Sequence, residues 1–281
     1  MDFQPADQAC ISGSPDKANE DYILITDGLY VVLDGATGLG KQLITTHPSD
    51  AVWFVEKISF YMKRFWHQEC DFVRALSRAI KSCSEDYNLL TRGVSRPDYE
   101  LPSAGLAAIA IENGVINAYR LGDCAIYSNS DKLKSSIFEP SFLEELDTKS
   151  IKSLKGELSK GSNAKQAREA IMPMLRKHRS LMNKPNGYGS LSLTQSCIEY
   201  IDKKQLNISQ GESILLASDG FSCIENYCNF DVRGIFNICE SLGLEGVVGK
   251  IRKIENEDSK MESYPRLKIH DDSTALLLNV L

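Results

Sequence analysis

Apolar positions along the chain form short runs near both ends and helical spacings between them. The segments ACIS, YILI and LYVVL, separated by turn residues, read as strands, and the last stops at Asp34-Gly35. From Ser49, a good N-cap, the apolar residues Val52, Val55, Ile58, Met62 and Phe65 predict a helix. A second stripe, Phe72, Leu76, Ala79, Ile80, Cys83, Tyr87 and Leu90, predicts another that is broken near Arg96-Pro97.

GLAAIAI and VINAYRL flank Glu112-Asn113-Gly114, and Asn-Gly supplies the positive φ angles of a tight hairpin. Gly122-Asp123 ends the second of these strands, and CAIYS extends the pairing. Residues 141 to 182 read as largely helical, with a polar break at Gly161-Ser162-Asn163, and are expected to be an inserted element rather than core sheet. After Gly187-Tyr188-Gly189 strands are expected at TQSCIEYI and ESILLAS, the latter reaching Asp219-Gly220. Two helical stretches over about 231 to 256 and a last strand, STALLLNVL, complete the pattern. This order lacks the regular alternation of a doubly wound sheet, so the expected class is α+β, an antiparallel β-sandwich covered by helices.

With 281 residues, 42% of them hydrophobic, the chain can bury a large core, and a single domain over 1–281 is expected. No run approaches the roughly 20 apolar residues of a membrane span. The opening residues are acidic and lack the regions of a signal peptide, so a cytoplasmic location is expected. Eight cysteines without a CxxC pair read as reduced thiols, and four dispersed histidines give no helical metal motif. Any metal site should therefore be oxygen-rich. The net charge of −6 hides a basic stretch from Lys149 to Lys184, with ten Lys/Arg against two Glu. It is a candidate docking surface for an acidic partner, and its lack of interleaved aromatics argues against nucleic acid.

Two apolar strands end alike, in LYVVLDG and SILLASDG, and a third gives AYRLGD. An Asp-Gly step suits a hard cation, because the carboxylate is short and glycine lets the backbone carbonyl approach the ion. Further acids stand at Asn19-Glu20-Asp21 and Asp271-Asp272. Any one of these is ordinarily a turn or a solvated surface. Gathered together, they would repel one another unless cations neutralised them.

In their order, NEDY, VVLDGATG, SAGLAAIAIENGVINAYRLGD, ILLASDGF and DDSTALLL resemble the metal-dependent protein phosphatases of the type 2C (PPM) family, over nearly the whole chain. The resemblance implies a four-layer αββα sandwich with two Mg²⁺ or Mn²⁺ ions in a cleft at one end. It also implies a flap beside that cleft, here residues 137–190. By the same resemblance Asp34 bridges both ions, Gly35 offers its carbonyl, and Asp219 and Asp271 bind one ion. Asp21, with Glu20, lies by the other. Asp123 with Asp219 resembles a third, weaker metal position, and Asp272 is left as a supporting or surface residue. The implied activity is hydrolysis of phosphoserine and phosphothreonine esters in phosphoproteins by a hydroxide shared between the ions. The alternative within the same fold is a weak or inactive binding module.

Three features depart from or compete with that pattern. Many members carry an arginine shortly before the acidic pair to grip phosphate, whereas here Lys17 is the only nearby cation and offers a point charge without the arginine fork. Eukaryotic relatives often have histidine after Asp-Gly, but Ala36 stands here, and neither His47 nor His270 carries a motif. Gly35 to Lys41 also nearly spells a P-loop for nucleotide hydrolysis. Gln42, however, replaces the metal-binding hydroxyl, and Pro48 falls where the helix should run.

Overall fold

The structure, a computed structural model, describes residues 2–44, 46–130 and 136–281. β1 (Phe3–Ile11) leads into a hairpin of β2 (Tyr22–Thr26) and β3 (Leu29–Ala36), followed by α1 (Asp50–Glu69) and α2 (Phe72–Leu90). Next come β4 (Ser103–Glu112), β5 (Val115–Leu121) and β6 (Ala125–Ser128), then the helix pair α3 (Phe142–Ser159) and α4 (Ala164–Arg179). β7 (Leu191–Ser192), β8 (Asp202–Gln205) and β9 (Ser213–Ala217) resume the sheets. The short α5 (Asp219–Ser222) and α6 (Ile224–Cys228), the long α7 (Val232–Glu257) and β10 (Ser273–Val280) close the order.

The strands make two antiparallel sheets, β1-β10-β9-β6 and β2-β3-β4-β5-β8, with β7 on the end of β4. Side chains alternate across each strand, and both faces of the central strands are apolar. Val32, Ile109, Leu216 and Leu276 fill the space between the sheets. Val31, Leu33 and Ala108 turn the other way onto Trp53, Phe54 and Leu76 of α1 and α2. Leu215 and Ala217 pack on Phe236 and Val247 of α7. The result is the αββα order of layers.

Local signals behave as the sequence suggests at several ends. The Ser49 side chain accepts from the Val52 N–H at 3.1 Å to cap α1. Asn113 (φ 52°) and Gly114 (φ 79°) are both left-handed in the β4–β5 hairpin. Elsewhere the structure corrects the reading. TQSCIEYI forms a 3₁₀ turn at Gln195–Tyr200 instead of a strand, burying Cys197 while Gln195 and Ser196 stay exposed. By contrast, the two helical stretches expected over about 231 to 256 are present, separated within the α7 span at Gly243, whose φ of 69° and ψ of 165° are not helical. β1 starts well before ACIS; its polar residues and Pro5 suit an edge strand, and its register shifts between Pro5 and Asp7. Leu90 ends the α2 stripe exposed, because the helix stops there.

The helix pair has small cores of its own, Leu146, Met182 and Tyr188 in one and Leu154, Ala167 and Ile171 in the other. A capping box between Asn163 and Gln166 starts α4, and at the start of α3 the Glu144 carboxylate accepts from the Ser141 N–H at 2.9 Å. Among the described residues no helix is long and apolar enough to cross a membrane.

Candidate metal and phosphate site

At one end of the sandwich, strand ends and helix starts surround a cavity of about 360 Å³. Asp34 enters from the end of β3, Asp219 from the start of α5, Asp123 from the turn after β5, and Asp271 from the segment before β10. The Asp219 N–H donates to Asp34 Oδ2 at 3.3 Å. Gly35 and Gly220 let the chain come this close: a Cβ would lie 2.2 Å from the Glu20 carbonyl oxygen at Gly35, and 1.9 Å from that of Asp272 at Gly220. The Asp-Gly repetition thus has a steric cause in both places.

Asp21 lies buried behind this cavity, and neither carboxylate oxygen has a hydrogen-bond partner. The neighbouring Thr274 hydroxyl turns instead to Cys10 Sγ at 3.4 Å. Asp272 acts as a staple, its two oxygens each accepting at 2.7 Å from the Gly13 and Glu20 N–H groups. Glu20 spends its carboxylate on Thr37, taking its hydroxyl and its N–H, while the Glu20 carbonyl accepts from the Gly35 N–H at 3.1 Å. Lys17 and Glu20 line an adjoining cavity of about 470 Å³, on the other side of Lys268 and Asp271. The structure therefore brings Asp34, Asp123, Asp219 and Asp271 together, sets Asp21 beneath them, and separates Lys17 and Glu20 from the main cavity.

Electrostatics mark the same group. Burial raises the Asp34 pKa well above the usual 3.8, and Asp219, Asp21, Asp123 and Asp271 add repulsion. Asp21 is raised well above it too, by burial and by Asp272, Asp219 and Asp271, with Thr274 opposing. Asp219 borders the open cavity and keeps contact with water, yet the protein around it makes burial the largest cause of a rise to about 7, followed by Asp271 and Asp123. Asp123 rises to about 6 through burial and the nearby Asp147. Among the described residues no three acidic, histidine or cysteine side chains close to the distances of a formed metal site. The two buried Asp21 oxygens without a donor and the carboxylates of Asp34, Asp123, Asp219 and Asp271 are the donor chemistry a hard divalent cation requires, so the residues fit such an ion.

Three residues in the cavity were not singled out by the sequence. Asp147 on α3 reaches it between Leu143 and Ile151, and burial with Asp219 and Glu144 raises its pKa to about 6. The i, i+4, i+8 spacing on α3 was the available signal. Lys268 Nζ pairs with Asp271 Oδ1 at 2.6 Å. Arg179, from the last turn of α4, donates through Nη2 to the Ala36 carbonyl at 2.9 Å. Arg179 reaches the site by tertiary packing, whereas Lys268 stands only three residues before its partner Asp271.

The histidines have other partners: His270 Nδ1 is 2.7 Å from the buried Glu255, and His47 Nε2 is 3.3 Å from Glu56. Glu255 also binds Arg252, whose guanidinium donates to the Asp271 carbonyl and fixes that segment from behind. The segment resembling a P-loop does not lead straight into a helix. α1 begins only at Asp50, and the Leu39 N–H donates to Tyr99 O at 2.7 Å.

Solved structures compare with this fold over the whole chain. PppA, described as a key regulatory component of the type VI secretion system in Pseudomonas aeruginosa, superposes with a TM-score of 0.55 at 17% identity, over 100% of this chain and 99% of that one. MsPP, a PPM Ser-Thr phosphatase from Mycobacterium smegmatis in complex with cacodylate, gives 0.55 at 14% identity over the same shares. This chain has the fold of the PPM phosphatases. The catalytic domain of the phosphatase PstP, in complex with two manganese ions, shares the PPM fold with it at a TM-score of 0.50 and 14% identity, covering 100% and 99% of the two chains. No family model matches the sequence, and no curated protein matches it. The likeness to the PPM phosphatases is therefore carried by the fold.

Proposed function

We propose that this chain is a metal-dependent phosphatase that hydrolyses phosphoserine and phosphothreonine esters of proteins. One observation carries the reading: carboxylates from widely separated segments gather around one cavity, where burial and mutual repulsion work against their charge. Nothing in the packing of two sheets calls for that arrangement. PstP, of the same fold, is described with two manganese ions.

Asp34, the Gly35 carbonyl, Asp21, Asp219 and Asp271 would hold two Mg²⁺ or Mn²⁺ ions, with Glu20 beside them and Asp123 near a third position. When bound, such ions neutralise phosphoryl oxygens and acidify water for attack on phosphorus. The chain's own part is to fix these carboxylates on strand ends and to hold the phosphate. Asp272 orients the Asp21 loop through the Gly13 and Glu20 amides. Ala36 and the engagement of His270 with Glu255 leave the leaving group to take its proton from solvent in the open cavity. The scattered thiols support a cytoplasmic setting.

A second reading, a phosphatase-fold module without turnover, draws on the ammonium of Lys268 held against Asp271. Hydrolysis of p-nitrophenyl phosphate and of a phosphothreonine peptide, with excess Mn²⁺ and with EDTA, separates the two. Manganese-dependent turnover lost in Asp34→Asn supports the enzyme; calorimetric Mn²⁺ binding with no turnover supports the module.

The exposed part of the basic stretch is proposed to dock an acidic partner or substrate segment. Its far end is already engaged within the chain, with Lys184 3.0 Å from Asp98 and Arg176 and Arg179 on backbone carbonyls. Lys152 and Lys165 on the two helices remain for such a partner.

A further inference from the structure

Arg179 combines three properties that no packing role accounts for. It lines the cavity that holds Asp34, Asp123, Asp147 and Asp219. Its Nη2 is fixed on the Ala36 carbonyl at 2.9 Å, two residues beyond Asp34, while its Nε is buried and has no hydrogen-bond partner. Among the described residues no carboxylate lies within ion-pair distance of its guanidinium, although Glu20, Asp123 and Asp147 are near enough to favour its charge against burial. A partly buried guanidinium with a buried, idle Nε is costly unless a partner completes it.

We infer that Arg179 is the residue that grips the substrate phosphate, supplied by the inserted helix pair and not by the loop that carries Lys17. The inference rests on the proposed phosphatase reading and names the residue that reading lacks. Guanidinium donors suit phosphate oxygens, and the bond to Ala36 fixes the fork before phosphate arrives, so little ordering is left to binding. The anchoring carbonyl follows Gly35 directly in sequence, so the phosphate-binding group and the metal-binding segment share one backbone stretch. Arg176, one helical turn earlier, reaches only the Leu39 carbonyl at 3.4 Å and stacks over Tyr99, outside the cavity. It is a control for helix anchoring alone.

The test compares wild type, Arg179→Ala, Arg179→Lys, Lys17→Ala and Arg176→Ala in Mn²⁺. Inorganic phosphate binding is measured by calorimetry and the KM for p-nitrophenyl phosphate by steady-state kinetics. Far-UV circular dichroism and Mn²⁺ affinity verify the fold. Expected is a phosphate Kd and a KM raised about tenfold to a hundredfold in Arg179→Ala, the scale of a lost charge-assisted hydrogen bond, with partial recovery in Arg179→Lys. Arg176→Ala stays close to wild type. A phosphate Kd within about twofold of wild type in folded Arg179→Ala, or a loss confined to Lys17→Ala, overturns the inference. So does equal weakening in Arg176→Ala, which would mean that the anchored helix and not the guanidinium matters. If wild type binds phosphate through Arg179 but turns nothing over, the enzyme reading falls and the phosphate grip stands.

Discussion

The Asp219 N–H donates to Oδ2 of Asp34, joining two strand ends that lie 185 residues apart in the chain. One carboxylate oxygen of Asp34 is thereby committed to the partner sheet, and the distance between the two aspartates is set by the sandwich itself.

Replacing Asp34 by asparagine tests what that position is for. Turnover of p-nitrophenyl phosphate in Mn²⁺ is expected to fall more than about 100-fold, beyond the effect of removing a merely supporting group. The same variant should melt higher than wild type in EDTA, because a neutral amide ends the repulsion that burial imposes there. Lower melting in EDTA would show that the carboxylate stabilises the fold.

The metal-free protein should lose stability as pH rises. Asp123 and Asp147 are pushed up to about 6 and Asp219 to about 7 from 3.8, so between these values the folded chain holds more protons than the unfolded one. Stability is then greatest at the acid end of the window and declines through it. Melting temperatures in EDTA at pH 5 and pH 7.5 check this, and excess Mn²⁺ should remove the decline. A melting temperature in EDTA that climbs across the interval contradicts the assignment.

Lys268 competes for a ligand. Its ammonium holds Asp271 at 2.6 Å and is itself about half exposed, a pairing on the order of 0.5–1 kcal/mol. Lys268→Gln should therefore tighten calorimetric Mn²⁺ binding about twofold to fivefold. Weaker binding would mean that the lysine orients Asp271.

Gly220→Ala probes the backbone approach. Its Cβ would sit 1.9 Å from the Asp272 carbonyl, so the chain must shift, at a cost of about 2–3 kcal/mol. Urea unfolding in EDTA should show a lower midpoint at an unchanged slope. An unchanged midpoint would show that this contact yields freely.

How much of this was legible depends on whether a signal is local. The strands ending at Asp34 and Asp219, the Ser49 cap and the Asn113-Gly114 turn announce themselves, because apolar runs and turn residues are nearest-neighbour chemistry. TQSCIEYI misleads because its apolar residues serve a single tight turn under α2. Lys17 stands beside the acidic residues in sequence but opens on another cavity, while Arg179 arrives from a distant helix. Such placements follow from helix docking and sheet order, which a linear reading does not contain.

β1 and β10 are neighbours in one sheet, and Asp272 clasps the loop that carries Asp21. During synthesis a ribosome-bound chain that has emerged only as far as Asp219 has neither the closing strand nor Asp271. The proposed metal site would therefore assemble only once β10 has paired with β1 and β9.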